Sequence, residues 1–171
     1  MILKRRLIAF FIDYFLIILY AIFLWVAGSL VFKLFHISTD TINPARTQII
    51  GFFTLTLPVF AYFFLSENSS KRGTFGKRKL KLYIDDSHSK WNNGILLRNI
   101  FKFLPWEIAH TGVHWVMYYS NNTTQTPQWV WMALIIPQVI IIFYLTSIFY
   151  YKGEGSVYDM MAGTRIKPDE E

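Results

Sequence analysis

The chain has 171 residues, of which 53% are hydrophobic and 19% aromatic, while only 16% are charged. A soluble domain carries about 25% charged residues, so this composition excludes an ordinary water-soluble fold and points to an integral membrane protein. With no cysteine in the chain, disulfide frameworks, thiolate nucleophiles and cysteine-based metal sites are excluded as well. The formal net charge of +6 matters through its placement.

The first apolar run covers 7–32 and follows directly on Lys4-Arg5-Arg6. About 20 apolar residues cross a bilayer core, so this run spans. It is too long for a cleavable signal peptide and ends without a small-residue cleavage motif, which makes it a retained first helix. Asp13 is the single charge within it. A carboxylate at mid-helix costs roughly 2.5–3.5 kcal/mol on insertion scales. Such residues face a protein interior or a water-filled path, so Asp13 is a candidate functional group. Arg6 lies seven residues away on the same helix face, about 10 Å along the axis, which is too far for easy pairing. Asp13 therefore needs a partner on another segment: the stripe of Glu107 and His110 is the leading candidate, with tyrosines and Thr54 or Thr56 of the second span as the fallback.

A second span covers 49–65, is free of charge, and contains Pro58 as a kink that neighbouring helices must accommodate. Between 66 and 102 the pattern changes. Lys79 to Ile84 alternates with period two, as a half-buried strand does. Asp85 to His88 supplies turn residues, and Lys90-Trp91 offers a returning strand. Asn92 or Asn93 can cap a helix over 95–104 that places Arg98 and Lys102 on one face and apolar residues on the other, an amphipathic helix for the inner membrane surface.

The stretch 103–119 is long enough to cross but carries Glu107, His110 and His114. A last charge-free span covers 129–151, bounded by Trp129, Trp131, Tyr150 and Tyr151 where an interfacial aromatic belt belongs. If 103–119 crosses, fifteen of the seventeen Lys and Arg fall on one side, leaving Lys33 and Arg46 on the other. The positive-inside rule then favours four crossings with both termini cytoplasmic. The outer loops become 36–47 and 120–128, the cytoplasmic parts 66–102 and 152–171.

In the tail, Ser156 to Asp159 fits a capping box, and Gly163 is a natural helix stop. Thr164 to Lys167 resumes alternation. Gly73-Thr74 and Gly163-Thr164 each precede a basic alternating segment, and the two segments can pair as strands, which would remove exposed edges.

Glu107, His110 and His114 fall at i, i+3 and i+7, one helical stripe. A carboxylate with two imidazoles can relay protons. The same trio, with Asp13, offers ligands to a divalent metal, or the residues serve helix capping and the interface. Asp13 likewise reads either as a cation or proton site or as a structural hydrogen-bonding group. The basic run from Lys71 to Lys81, beside a span, fits anionic lipid better than nucleic acid. Phosphate loops, metalloprotease patterns and nucleophile elbows are absent from the sequence, so no enzyme activity and no cofactor are expected.

Three blocks, in order, resemble a known family. RRLIAFFID at the start, GTFGKRKLKLYI followed by LLRN in the middle, and VYDMMAGTRI near the end are similar to the RDD membrane proteins, named for one arginine and two aspartates. The resemblance covers nearly the whole chain and makes Arg6 the arginine and Asp13 and Asp159 the aspartates. It implies a bacterial cytoplasmic-membrane protein in which transport is suspected. The stretch from Pro105 to Pro127 departs from the pattern, being longer and more polar.

The expected architecture is one all-α membrane domain over 1–171. It has about four spans, an amphipathic interfacial helix and a small cytoplasmic β-hairpin-like element. Two functions compete. One is a transporter or cation/proton exchanger with Asp13, Glu107, His110 and His114 along its path and Arg6, Arg98 and Asp159 clustered at its cytoplasmic mouth. It would work as a homo-oligomer, because four helices are few for alternating access. The other is a non-transporting scaffold or partner subunit that docks lipid or protein on its basic face.

Overall fold

The structure, a computed structural model, describes residues 2–36, 43–122 and 124–169. Half of the outer loop expected at 36–47, residues 37–42, therefore lies outside the described residues.

The first helix, α1 (Ile2–Leu34), has 33 residues, a length of about 50 Å at 1.5 Å per residue. The hydrocarbon core is only about 30 Å thick, and the charge-free stretch 14–32 can cross it alone. Asp13 thus sits at the end of the membrane-crossing part rather than at its centre. The buried positions of α1 are Arg6, Ala9 and Asp13, a single stripe at one end, while Phe11, Phe15 and Trp25 face outward as lipid-facing residues do.

The second long helix is continuous but changes pitch. α2 (Pro44–Gly51) begins with the Asn43 side chain accepting the Ala45 N–H, and runs through a π-helical turn (Phe52–Thr56) into α3 (Leu57–Glu67). Pro58 has no N–H to give to the Thr54 carbonyl one turn back. The Tyr20 hydroxyl of α1 donates to that carbonyl instead, at 2.7 Å.

The interfacial helix expected at 95–104 and the span expected at 103–119 are one helix, α5 (Gly94–Asn121), of 28 residues. The reason it continues through Pro105 is the same: the Phe101 carbonyl, deprived of its intrahelical donor, accepts the Tyr144 hydroxyl at 3.3 Å. Asn93 caps the helix by accepting the Leu96 N–H. A short connection leads into α6 (Gln128–Tyr150), which packs along α5. Gly112 allows this approach, since a Cβ there would come within 2.8 Å of Leu134.

Among the described residues, three helical stretches are long and apolar enough to cross a membrane: Ile2–Leu34, Pro44–Glu67 and Gln128–Tyr150. α5 matches them in length but carries charge.

The remaining elements gather at one end of the bundle. They are α4 (Phe75–Lys79), β1 (Leu82–Asp85), α7 (Val157–Ala162) and β2 (Arg165–Pro168). β1 and β2 pair antiparallel, from Leu82 opposite Pro168 to Asp85 opposite Arg165. Lys90-Trp91 forms no strand, and the start of the alternating segment, through Lys79, is helical. The tail strand takes the pairing because it completes a core: Leu82, Ile84 and Ile166 pack with Ala9 of α1 and Ile95 of α5. Burying each of the larger side chains stabilises by about 1.5–3 kcal/mol. Gly163 closes α7 with φ +68°, the left-handed conformation that suits glycine. The capping box does not form. The Ser156 hydroxyl donates to Asp159 Oδ2 at 2.9 Å rather than accepting a helix N–H, because Asp159 is committed elsewhere.

Candidate functional site

Two clusters of ionisable and polar side chains lie between the helices among the described residues. The first lies where α1, α3, α4, α5 and α7 converge. Arg6 Nη2 donates to Asp159 Oδ2 at 2.7 Å and to the Tyr158 hydroxyl at 3.1 Å, while its Nη1 reaches the Gly153 carbonyl at 3.0 Å. Arg98 Nε donates to the other oxygen of Asp159 at 2.6 Å, and Arg98 Nη1 to Glu67 Oε2 at 2.5 Å. Lys77 Nζ and Asn99 Nδ2 complete the shell of Glu67, at 2.5 and 2.8 Å. Arg6, Arg98, Asp159 and Glu67 are each at most 5% exposed.

The result is a chain of alternating charge, Arg6–Asp159–Arg98–Glu67–Lys77, each member bonded to the next. Burial pushes the Asp159 carboxyl up, but the facing charges of Arg98 and Arg6, with their hydrogen bonds, outweigh it and hold Asp159 below the usual carboxylate range. The structure thus brings Arg6, Arg98 and Asp159 together across 153 residues of sequence.

Asp13 borders this lattice without joining it. Its Oδ1 accepts the Tyr62 hydroxyl at 3.0 Å and the Gly76 N–H at 2.9 Å, and its Oδ2 accepts the Thr74 hydroxyl at 2.5 Å. The carboxylate therefore caps the start of α4, a favourable place for negative charge. Gly76 is required here, because a Cβ would collide with the Ala9 carbonyl and press on Asp13 Oδ1. The partners first expected for Asp13 were Glu107 and His110, with tyrosines or Thr54 and Thr56 of the second helix as substitutes. The tyrosine is realised as Tyr62. Glu107 and His110 are not reached: they lie nine and twelve residues beyond Arg98 along α5, about 13 Å and 18 Å deeper.

The second place is a polar seam between α2, the π-helical turn and α5. Glu107 Oε2 accepts the Thr56 hydroxyl at 2.7 Å, its one hydrogen-bond donor among the described residues. Gln48 Nε2 donates to Thr111 Oγ1, which in turn donates to the Glu107 carbonyl. His110 and His114 follow on the same stripe with ring centroids 5.7 Å apart, and His114 lies against Gly51. Glu107, Gln48 and Phe52 border a recess of about 350 Å³. No three His, Asp or Glu side chains among the described residues converge as a metal site would require, and Asp13 is too far away to be a further ligand.

Sequence reasoning missed Glu67, Lys77 and Asn99 in the lattice, and Gln48, Thr56 and Thr111 in the seam. A signal existed for Glu67: a lone carboxylate abutting a charge-free span and facing a basic run. The repeated Gly-Thr pair held another. Thr74 donates to Asp13, and Thr164, at 3.4 Å, to Asp159, so each pair delivers a hydroxyl to one of the two aspartates.

Comparison with curated proteins gives no match, and comparison with solved structures gives none. The family model for the RDD family matches residues 3–163, nearly the whole chain. That span contains the arginine and both aspartates whose contacts are described above, and on this match the chain belongs to the RDD family.

Proposed function

We propose that this protein is a transporter of the bacterial cytoplasmic membrane, exchanging protons for a small cation along the Glu107 seam. The observation that carries this reading is the state of Glu107. It is a half-buried carboxylate on a membrane-length helix, held by one hydroxyl and bordering a recess. Ionisable groups in such positions mark ion and proton paths, and π-helical turns like the one facing it are frequent at functional sites. His110 and His114 extend the path along one face. Asp13, expected to be the transporting carboxylate, is reassigned to positioning α4, since three donors, the Tyr62 and Thr74 hydroxyls and the Gly76 N–H, hold its two oxygens at the start of that helix. Four helices are few for alternating access, so the working unit is a homo-oligomer, with both termini and the basic lattice end cytoplasmic.

The test is ion flux in proteoliposomes under a pH gradient. The native chain and Asp13→Asn should both support flux, and Glu107→Gln should abolish it while retaining the native melting transition. Equal flux in Glu107→Gln would remove the seam from the path. Orientation is tested separately with single cysteines, which the cysteine-free chain accepts cleanly: an impermeant reagent should label Gln125→Cys in intact cells and leave Asp169→Cys unlabelled.

One observation favours a second reading, a non-transporting scaffold. The lattice ties five helices together from within, a rigid support for a docking face. Absence of flux in the native chain would select it.

A further inference from the structure

The pairing of β1 with β2 brings the turn after β1 against the end of α7 and the start of β2. His88, Lys90 and Trp91 from the first segment and Met160, Met161 and Arg165 from the second line a recess of about 360 Å³. Its two halves differ chemically. Lys90, Arg165 and His88 are exposed, and neither Lys90 nor Arg165 has an ion-pair partner among the described residues. Asp85, opposite Arg165 across the strand pair, is taken up by Lys167, and Asp86, the acid nearest Lys90 in sequence, by Arg72, and no carboxylate lines the recess. The other half is apolar: Trp91 is 56% exposed, Met160 51% and Met161 48%. Trp91 is nevertheless held in place, its Nε1 donating to the Met161 carbonyl at 3.3 Å, and Ser89 Oγ pins the same turn to the Ala162 carbonyl at 2.8 Å.

We propose that this recess binds the headgroup of an anionic phospholipid, with its phosphate between Lys90 and Arg165 and the first acyl carbons against Trp91, Met160 and Met161. The argument is complementarity on both halves at once. A free anion has no use for three exposed apolar side chains. A zwitterionic lipid would bring its own cation to Lys90 and Arg165 with no carboxylate in the recess lining to receive it. Position agrees: Trp91 lies three residues before α5 begins, and α7 lies level with Arg98 through Asp159, at the end of the bundle where tryptophan belongs at a membrane interface. The proposal rests on the membrane placement given above but not on transport, because lipid binding is read without any flux.

Native mass spectrometry of the purified protein in detergent, titrated with phosphatidylglycerol and separately with phosphatidylcholine, tests it. Phosphatidylglycerol should be retained and phosphatidylcholine lost. Lys90→Ala with Arg165→Ala should weaken retention roughly tenfold or more, since each basic residue near a surface contributes about fivefold. Lys71→Ala with Lys79→Ala removes the same charge from exposed positions outside the recess and should weaken retention clearly less than the recess pair does, because these lysines add only long-range attraction and touch no seated headgroup. Trp91→Ala, which keeps every charge, should also weaken retention and serves if the double variant loses its melting transition. Equal retention of both lipids, equal loss in the two double variants, or displacement of the lipid by excess inorganic phosphate would each overturn the proposal.

Discussion

The lattice and the seam are both made of carboxylates inside a membrane protein, yet they are built on opposite terms. In the lattice every charge has its counter-charge within hydrogen-bonding distance, and Asp159 alone accepts from Arg6, Arg98, Ser156 and Thr164. In the seam Glu107 has one hydroxyl and an adjoining recess. A saturated carboxylate holds its neighbours in place, and any loss of its charge strands them. A carboxylate with spare lone pairs can gain or release a proton or a cation while its surroundings keep their partners. Position along the chain does not distinguish the two kinds; coordination does.

The harshest way to break this comparison is to remove Asp159. Asp159→Ala leaves Arg6 and Arg98 buried and partly unpaired, and should destabilise by about 3–5 kcal/mol, read as a collapse of the unfolding midpoint in micelles. Acid should do the same more gently. Because Asp159 titrates below its unfolded value of about 4, its contribution is fully present above that pH and is lost as pH falls through the folded pKa. The melting temperature should therefore drop on acidification below about pH 4, and Asp159→Asn should show a shallower drop.

Asp13→Ala comes next. It orphans the donors of Tyr62, Thr74 and Gly76 and should cost about 1–3 kcal/mol, with hydrogen exchange rising first over α4. Glu107→Gln should cost about 1 kcal/mol or less and yet be the variant that stops flux. If the order of these two were reversed, the division between holding and transporting carboxylates would fail. Arg72→Ala is the mildest: its pair with Asp86 is partly exposed, and such surface pairs contribute about 0–1 kcal/mol.

Much of the frame is readable from the residues, because bilayer thickness imposes a length and a composition that few other constraints produce. The first, second and last spans follow from that alone. Arg6 meeting Asp159 was legible through the order of the three family blocks, and the β1–β2 pairing through the Gly-Thr echo. What was not legible depends on distant partners. Phe75–Lys79 reads as part of a basic, lipid-contacting run until Asp13, 63 residues before Gly76, caps it. Pro105 reads as a helix start because the hydroxyl that lets α5 pass through it belongs to Tyr144, on another helix. Asp13 was misplaced in depth because hydropathy locates a run but not the membrane boundary within a helix of about 50 Å.

The Arg6–Asp159 bond also has a consequence for biogenesis. Its two residues are made 153 positions apart, and at about 5–20 residues per second the arginine waits roughly 10–30 s for its counter-charge to be synthesised. During that interval the spans can enter the bilayer, but the lattice end of the bundle stays open, with Arg6 and the core around Ala9 uncovered. Insertion and closure are thus separate events in time. A ribosome that stalls before Asp159 leaves a fully threaded but unlatched chain, the form that membrane quality-control proteases are equipped to find.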